Sequence, residues 1–161
     1  DTSLRVPTAI RWPGVINPGT IHAETFSNLD WFPTLLTMAN IKQPNSAVLR
    51  GDDFTPILRG RKPRWDSSIY LEYSMHHGAK THMRGIRTPE WKFMIDFAND
   101  GRLELYHLKE DPDETINLAQ SRDSKHIDIR HNLMSQVRDH MQTVDDPLLA
   151  TLESPNPAKN P

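Results

Sequence analysis

Trp91-Lys92-Phe93-Met94-Ile95-Asp96-Phe97 sets aromatic and aliphatic side chains at every second position, alternating with Lys92, Met94 and Asp96. That is the period of a strand with one buried face. Working outward, Thr88-Pro89-Glu90 precedes it and Ala98-Asn99-Asp100-Gly101 follows it, both turn sequences of hairpin length. Residues 83–88 and 102–108 flank the turns, and 68–73 lie further upstream, all strand-like in composition. The expectation is an antiparallel meander of four strands. Downstream, Ile129, Leu133, Val137, Met141 and Val144 recur at spacings of four and three within residues 127–144. Such a stripe predicts an amphipathic helix laid on the sheet. The fold class is therefore α+β, with the C-terminal four-stranded sheet and its long helix spanning residues 67–150.

The first 45 residues read differently. Residues 6–12 are a short apolar run interrupted by Pro7, expected as a strand at an edge or a strand start, followed by turns at Pro13-Gly14 and Pro18-Gly19. Leu29, Phe32, Leu35, Leu36 and Ala39 then fall at helical spacing, with Asp30 as the expected N-cap, Pro33 in the first turn and Asn40 as a left-handed stop. One strand and one helix are half of an α/β layer. Phe32, Leu35 and Leu36 exceed what a sheet already covered by a long helix can bury, so apolar exposure is expected here. Residues 46–66, rich in Pro, Gly and charge, are expected to be a linker, with a short helical turn at 55–58. Residues 151–161 are expected to form an irregular tail.

A chain of 161 residues with a net charge of −2 suits one domain, or a piece of a larger protein, and argues against a dedicated nucleic-acid binder. No apolar run approaches the roughly 20 residues that a membrane-spanning helix needs. Zero cysteines exclude disulfide frameworks, zinc ribbons and thiol nucleophiles. Nucleophile elbows, phosphate-binding glycine loops and zinc-protease motifs are absent as well. What remains is Met75-His76-His77-Gly78-Ala79-Lys80-Thr81-His82-Met83-Arg84-Gly85-Ile86-Arg87-Thr88. Its imidazoles and cations could hold an anionic group through charge-assisted hydrogen bonds, or form a solvated loop with strand-edge cations. No carboxylate keeps metal-ligand spacing with those histidines. Arg59-Gly60-Arg61-Lys62-Pro63-Arg64 is open to two readings as well, a polyanion contact or a solvated linker. Glu110-Asp111-Pro112-Asp113-Glu114 suits a turn bonded to its own backbone better than a calcium loop. His126, His131 and His140 fall on mixed faces of the long helix and read as surface residues.

Several strings resemble the C-terminal portion of the type I, formylglycine-dependent sulfatases. They are Ser3-Leu4-Arg5-Val6-Pro7 running into Ile10-Arg11-Trp12-Pro13-Gly14-Val15-Ile16, then Pro18-Gly19-Thr20, Asn28-Leu29-Asp30 and Pro33-Thr34-Leu35-Leu36. Gly85-Ile86-Arg87-Thr88 with Trp91-Lys92, Glu104-Leu105-Tyr106, Asp111-Pro112-Asp113-Glu114 and Asn117-Leu118-Ala119 continue the series. Each is weak alone, but their order covers residues 3–120. Glu72-Tyr73 followed by His76-His77 and His82 is most similar to members acting on sulfated glycosaminoglycan sugars. Asp52-Asp53-Phe54 departs from the family's small polar residue and leucine, and Arg84 is an insertion relative to its His-x-Gly-Ile-Arg-Thr pattern.

The resemblance implies that residues 1–45 are the last strand and helix of a large α/β sulfatase domain, and 67–150 its small C-terminal subdomain. It implies a nucleophile in a C/S-x-P-x-R motif, a calcium ion and sulfate-binding side chains, all ahead of the Arg5-Val6-Pro7 segment. This chain is then expected to hold no catalytic residue and no metal ligand, and to act with an N-terminal sulfatase domain on a sulfated carbohydrate. A periplasmic, secreted or lysosomal setting is implied too, with no nucleic-acid or membrane partner. His76, His77 and His82 are the candidate substrate contacts, with Arg84 next and Arg87 more structural. A noncatalytic module binding a sulfated glycan or a protein through the same loop is one alternative. A phosphodiesterase or phosphonate hydrolase of the same superfamily is another.

Overall fold

Ile86, Phe93 and Leu105 stand in one row across three neighbouring strands, and all three are buried. The computed structural model describes residues 4–78 and 80–153. Strands β1 (Ile69–Met75), β2 (Thr81–Arg87), β3 (Trp91–Asp96) and β4 (Leu103–His107) form a sheet in the order β1-β2-β3-β4. The antiparallel register pairs Ile86 with Phe93 and Phe93 with Leu105, as the alternation around Phe93 requires. At the β2–β3 turn the Thr88 hydroxyl accepts the Trp91 amide at 2.8 Å. The long helix is α3 (Ser124–Thr143), begun by Asp123, whose carboxylate accepts the Lys125 amide at 2.8 Å. Leu133, Val137 and Met141 of α3 join Ile86, Trp91, Phe93 and Leu105 in a single apolar core. Phe93, Leu105, Val137 and Met141 are fully enclosed, each contributing about 1.5–3 kcal/mol of transfer free energy.

One expectation for β3 is corrected. Its second face is not open: Lys92, Met94 and Asp96 are as buried as the apolar row. Lys92 pairs with Glu114 and lies over the Tyr106 ring, Met94 packs under Gly85, and Asp96 is enclosed by donors described below. Polar residues are tolerated there because each has a partner.

The chain divides into two compact units, this one, Tyr70–Pro161, and Asp1–Ile69. In the latter, α1 (Trp31–Met38) follows a 3-10 turn, Asn28–Asp30. Asp30 precedes α1 as expected but its side chain makes no cap bond to it; the capping side chain is Ser27, ahead of the 3-10 turn. Ser27 Oγ accepts the Leu29 amide, while the Asp30 carboxylate reaches back to the Ser27 amide at 2.6 Å and onward to the Asp52 amide at 2.9 Å. Asn40 ends the helix in the left-handed region at φ 54°. Residues 6–12 form no strand, because no strand among the described residues pairs with them, and Ile10 and Trp12 instead pack onto the cluster of Phe54, Ile57 and Leu58. Residues 46–66, expected as a linker, hold the centre of this unit. Phe54, with Ile57 and Leu58 of α2 (Thr55–Leu58), is buried under Phe26, Trp31 and Trp65. Phe32 and Leu35 remain 53% and 49% exposed, in line with the apolar excess foreseen for them, whereas Leu36, expected with them, is half-buried, and Leu29 is exposed as well. The tail also differs: Asp146 and Pro147 start a further helix, α4 (Leu149–Glu153), where irregular chain was expected from residue 151. Residues 154–161 lie outside the described ones.

Candidate functional site

β1 and β2 are joined by the loop that carries the histidines. Gly78, at φ 72°, supplies the left-handed residue that a short reversal needs. His76 and His77 are exposed and His82 is half-buried at the start of β2. The His76 and His82 rings meet edge to face with centroids 4.7 Å apart, and His82 Nδ1 is 3.1 Å from Ser74 Oγ. His77 is not drawn into this pair.

The loop's base is held by a residue that sequence reading passed over as strand alternation. Asp96, the last residue of β3, accepts Thr81 Oγ1 at 2.5 Å, the His82 amide at 2.9 Å, the Ala98 amide at 3.0 Å and Asn99 Nδ2 at 2.7 Å. Asn99 also donates to the Lys80 carbonyl at 2.9 Å, tying the β3–β4 turn to the histidine loop. Burial alone would raise the Asp96 carboxyl, but these donors hold it far below the usual carboxylate range. The only sequence signal was an acidic residue at a strand end before an Asn-Asp-Gly turn.

Arg84 is on the sheet's core face and 3% exposed. Its Nε donates to Asp146 Oδ2 at 2.5 Å, its Nη2 lies 3.3 Å from Glu72 and its Nη1 donates to the Met83 carbonyl at 2.9 Å. It approaches His82 only through Ser74, whose hydroxyl is 3.4 Å from Nη1. Burial alone would raise the Asp146 carboxyl; Arg84 and the Leu148 amide lower it below its ordinary value. Beside them burial pushes the Tyr70 phenol well above its ordinary range, and His140 stacks on its ring at 3.9 Å. Arg87, one strand position beyond Ile86, is on the opposite face and donates to the Thr88 carbonyl. The structure thus brings together His76, His82, Ser74 and, beneath them, Arg84, and leaves Arg87 apart.

The acidic turn behaves as a backbone-bonded turn: the Asp111 carboxylate accepts the Thr115 amide at 3.0 Å, the Thr115 hydroxyl at 2.9 Å and the Ile116 amide at 2.8 Å. Among the described residues no group of three His, Asp or Glu side chains is placed to hold a metal ion. No helix among them is long and apolar enough to cross a membrane. The site presents exposed imidazoles on a braced loop, with the Ser74 hydroxyl against His82.

The family described as N-sulphoglucosamine sulphohydrolase, C-terminal, matches residues 1–143. An N-acetylglucosamine-6-O-sulfatase of Bacteroides thetaiotaomicron is 35% identical over 121 residues, covering 71% of this chain and 21% of that protein. The structure of a 2-O GAG (glycosaminoglycan) sulfatase superposes with a TM-score of 0.62 at 28% identity, over 73% of this chain and 25% of its own. A protein solved with its substrate D-glucosamine-2-N,6-O-disulfate shares the fold, with a TM-score of 0.68 at 24% identity over 85% of this chain and 28% of its own. The chain therefore spans between a fifth and three-tenths of these relatives.

Proposed function

The chain belongs to the N-sulphoglucosamine sulphohydrolase C-terminal family, and from that membership we propose that it is the C-terminal part of a sulfatase hydrolysing sulfate esters or sulfamates of a glycosaminoglycan-type sugar. The observation that carries this reading is the family match itself, which runs through both units of the chain rather than over one motif. Relatives named for N-acetylglucosamine-6-O-sulfate and for 2-O GAG sulfate hydrolysis favour a sulfated amino sugar chain as substrate.

In this reading the reacting groups, including a calcium ion that would offset charge on the sulfate, are held outside this chain. The residues here contact sugar. His76 and His82 offer ring nitrogens to hydroxyl, carboxylate or sulfate oxygens, and His77 adds a third imidazole at the same loop. Asp96, Ser74 and Arg84 position them: Asp96 fixes where β2 starts, and Arg84 holds Ser74 against His82. The isolated chain, having no nucleophile of the required kind, is inactive by itself.

The test is sulfate release from N- and 6-O-sulfated glucosamine by a longer protein carrying this chain after a C/S-x-P-x-R motif. Release that disappears when the motif Cys or Ser is replaced supports the proposal. Sulfate release by the purified 161-residue chain above a buffer blank sinks the claim that it lacks a catalytic core. Turnover of phosphonate monoesters in preference to sulfates assigns the chain to a different hydrolase of the same fold.

A further inference from the structure

In the Tyr70–Pro161 unit four cations pair with carboxylates: Arg84 with Asp146, Lys92 with Glu114, Arg102 with Glu104, Lys109 with Glu90. In residues 59–64 four cations are close together in sequence and none is so paired. Arg59, Arg61, Lys62 and Arg64 are all exposed, and among the described residues no carboxylate lies within ion-pairing distance of any of them. Arg59 sits 4.7 Å from the centre of the Trp12 ring, a contact that satisfies none of its N–H donors.

The strip is held at both ends. Upstream, Ile57 and Leu58 are buried, and α2 ends through Gly60 at φ 77°, with Gly60 N bonded to Ile57 O at 2.9 Å and Arg61 N to Pro56 O at 3.0 Å. Downstream, Pro63 restricts the backbone, and Trp65 is anchored by its indole N–H to the Thr25 carbonyl at 3.0 Å and by its ring against Phe26. The fold therefore gathers four like charges on a braced turn with no carboxylate in direct ion-pair contact among the described residues. Their mutual repulsion is relieved by a multivalent anion, and bracing lowers the ordering cost of binding one.

We propose that residues 59–64 form a docking strip for a sulfated polysaccharide chain, in addition to the histidine loop. The choice of a sulfated glycan rests on the function proposed above. Nucleic acid fits less well: the Trp12 ring is covered by Arg59, and Trp65 is packed by Phe26 and Phe54, so the strip carries no open ring for base stacking. The adjoining cleft beside Trp65 is lined by Asp52, Asp53 and Asp66 together with Arg64; the aspartates repel sulfate, so the contact falls chiefly on Arg59, Arg61 and Lys62, with Arg64 at its edge.

The experiment titrates the 161-residue chain with a fluorescently labelled heparin-derived decasaccharide at several NaCl concentrations. Binding is expected to weaken steeply with salt. Arg61→Ala/Lys62→Ala/Arg64→Ala is expected to lower affinity about ten-fold or more at low salt and to flatten the log–log salt slope by roughly two units. Arg59 is left in place because it packs on Trp12. Arg61→Lys/Arg64→Lys is expected to retain affinity within about three-fold, since sulfate attraction follows charge. Equal thermal midpoints for all three proteins show that the fold is intact. No binding by the unaltered chain, unchanged affinity in the alanine variant, equal affinity for a desulfated decasaccharide, or tighter binding of a single-stranded DNA of equal charge would each overturn the proposal. Failure of the proposed sulfatase reading shows instead as no sulfate release from a sulfated monosaccharide by the longer protein that carries this chain, a substrate with too few charges to report on the strip.

Discussion

The Thr81 hydroxyl donates to the Asp96 carboxylate at 2.5 Å, joining the first residue of β2 to the last residue of β3. Asp96 is thereby the acceptor on which the start of β2 and the following turn both depend. Asp96→Ala leaves the Thr81 hydroxyl and the His82 and Ala98 amides without it, at a cost of about 2–4 kcal/mol. Denaturant unfolding should show that loss. Asp96→Asn, which keeps one acceptor oxygen, should lose less.

Acid should unfold the Tyr70–Pro161 unit through the same groups. Asp96, Asp146 and Glu114 are all held below their ordinary carboxyl values, so their folded pKa lies under the unfolded one. Stability from such groups is fully present above the unfolded pKa and is lost as pH falls through the folded pKa. The thermal midpoint should therefore fall progressively from about pH 5 downward. The Asp96→Asn variant should show a shallower decline over that range, and an identical decline would exclude Asp96 as a contributor.

Arg84 and Asp146 are both nearly enclosed, so removing one strands the other. Asp146→Ala is expected to destabilise by about 3–5 kcal/mol, because an unpaired guanidinium stays in the core. Arg84→Met/Asp146→Leu should recover much of that loss. A double-mutant cycle by chemical denaturation measures the coupling.

Gly85 faces Met94 across the β2–β3 pair, and a Cβ built there would stand 2.2 Å from Met94 Sδ and 2.3 Å from the Phe93 carbonyl oxygen. The backbone oxygen cannot step aside as a side chain can. Gly85→Ala should reduce soluble yield and lower the unfolding midpoint, and Met94→Ala in the same chain should not restore it fully.

Alanine at His76 or His82, in a longer active protein, should lower kcat/KM for the sulfated glycan. One hydrogen bond to a charged group is worth about 1.5–3 kcal/mol, or roughly 10- to 150-fold. A small aryl sulfate, lacking the extra sugar contacts, should be turned over as before. Equal loss on both substrates would mean that the histidines support the fold or the sulfate pocket, and unchanged kinetics on both would leave them as solvated loop residues.

The sequence by itself determined the sheet, its long helix and the loop between β1 and β2. Strand and helix periods are local: the alternation at residues 91–97 and the stripe from Ile129 to Met141 repeat within one element, so each announces its own buried face. The histidines were legible for the same reason, as a cluster contiguous in sequence. Tertiary structure alone decided which distant groups meet. Arg84 and Asp146 are 62 positions apart, Thr81 and Asp96 are 15, and Phe54 gathers rings from residues 26, 31 and 65. Partnerships across such separations leave no period in the chain. Arg84 therefore reads as a strand-edge cation or a substrate contact until the fold buries it against Asp146, and 46–66 reads as a linker until Phe54 is seen at the centre of a core. Desolvation makes the difference, because an exposed cation needs no partner and a buried one cannot do without it.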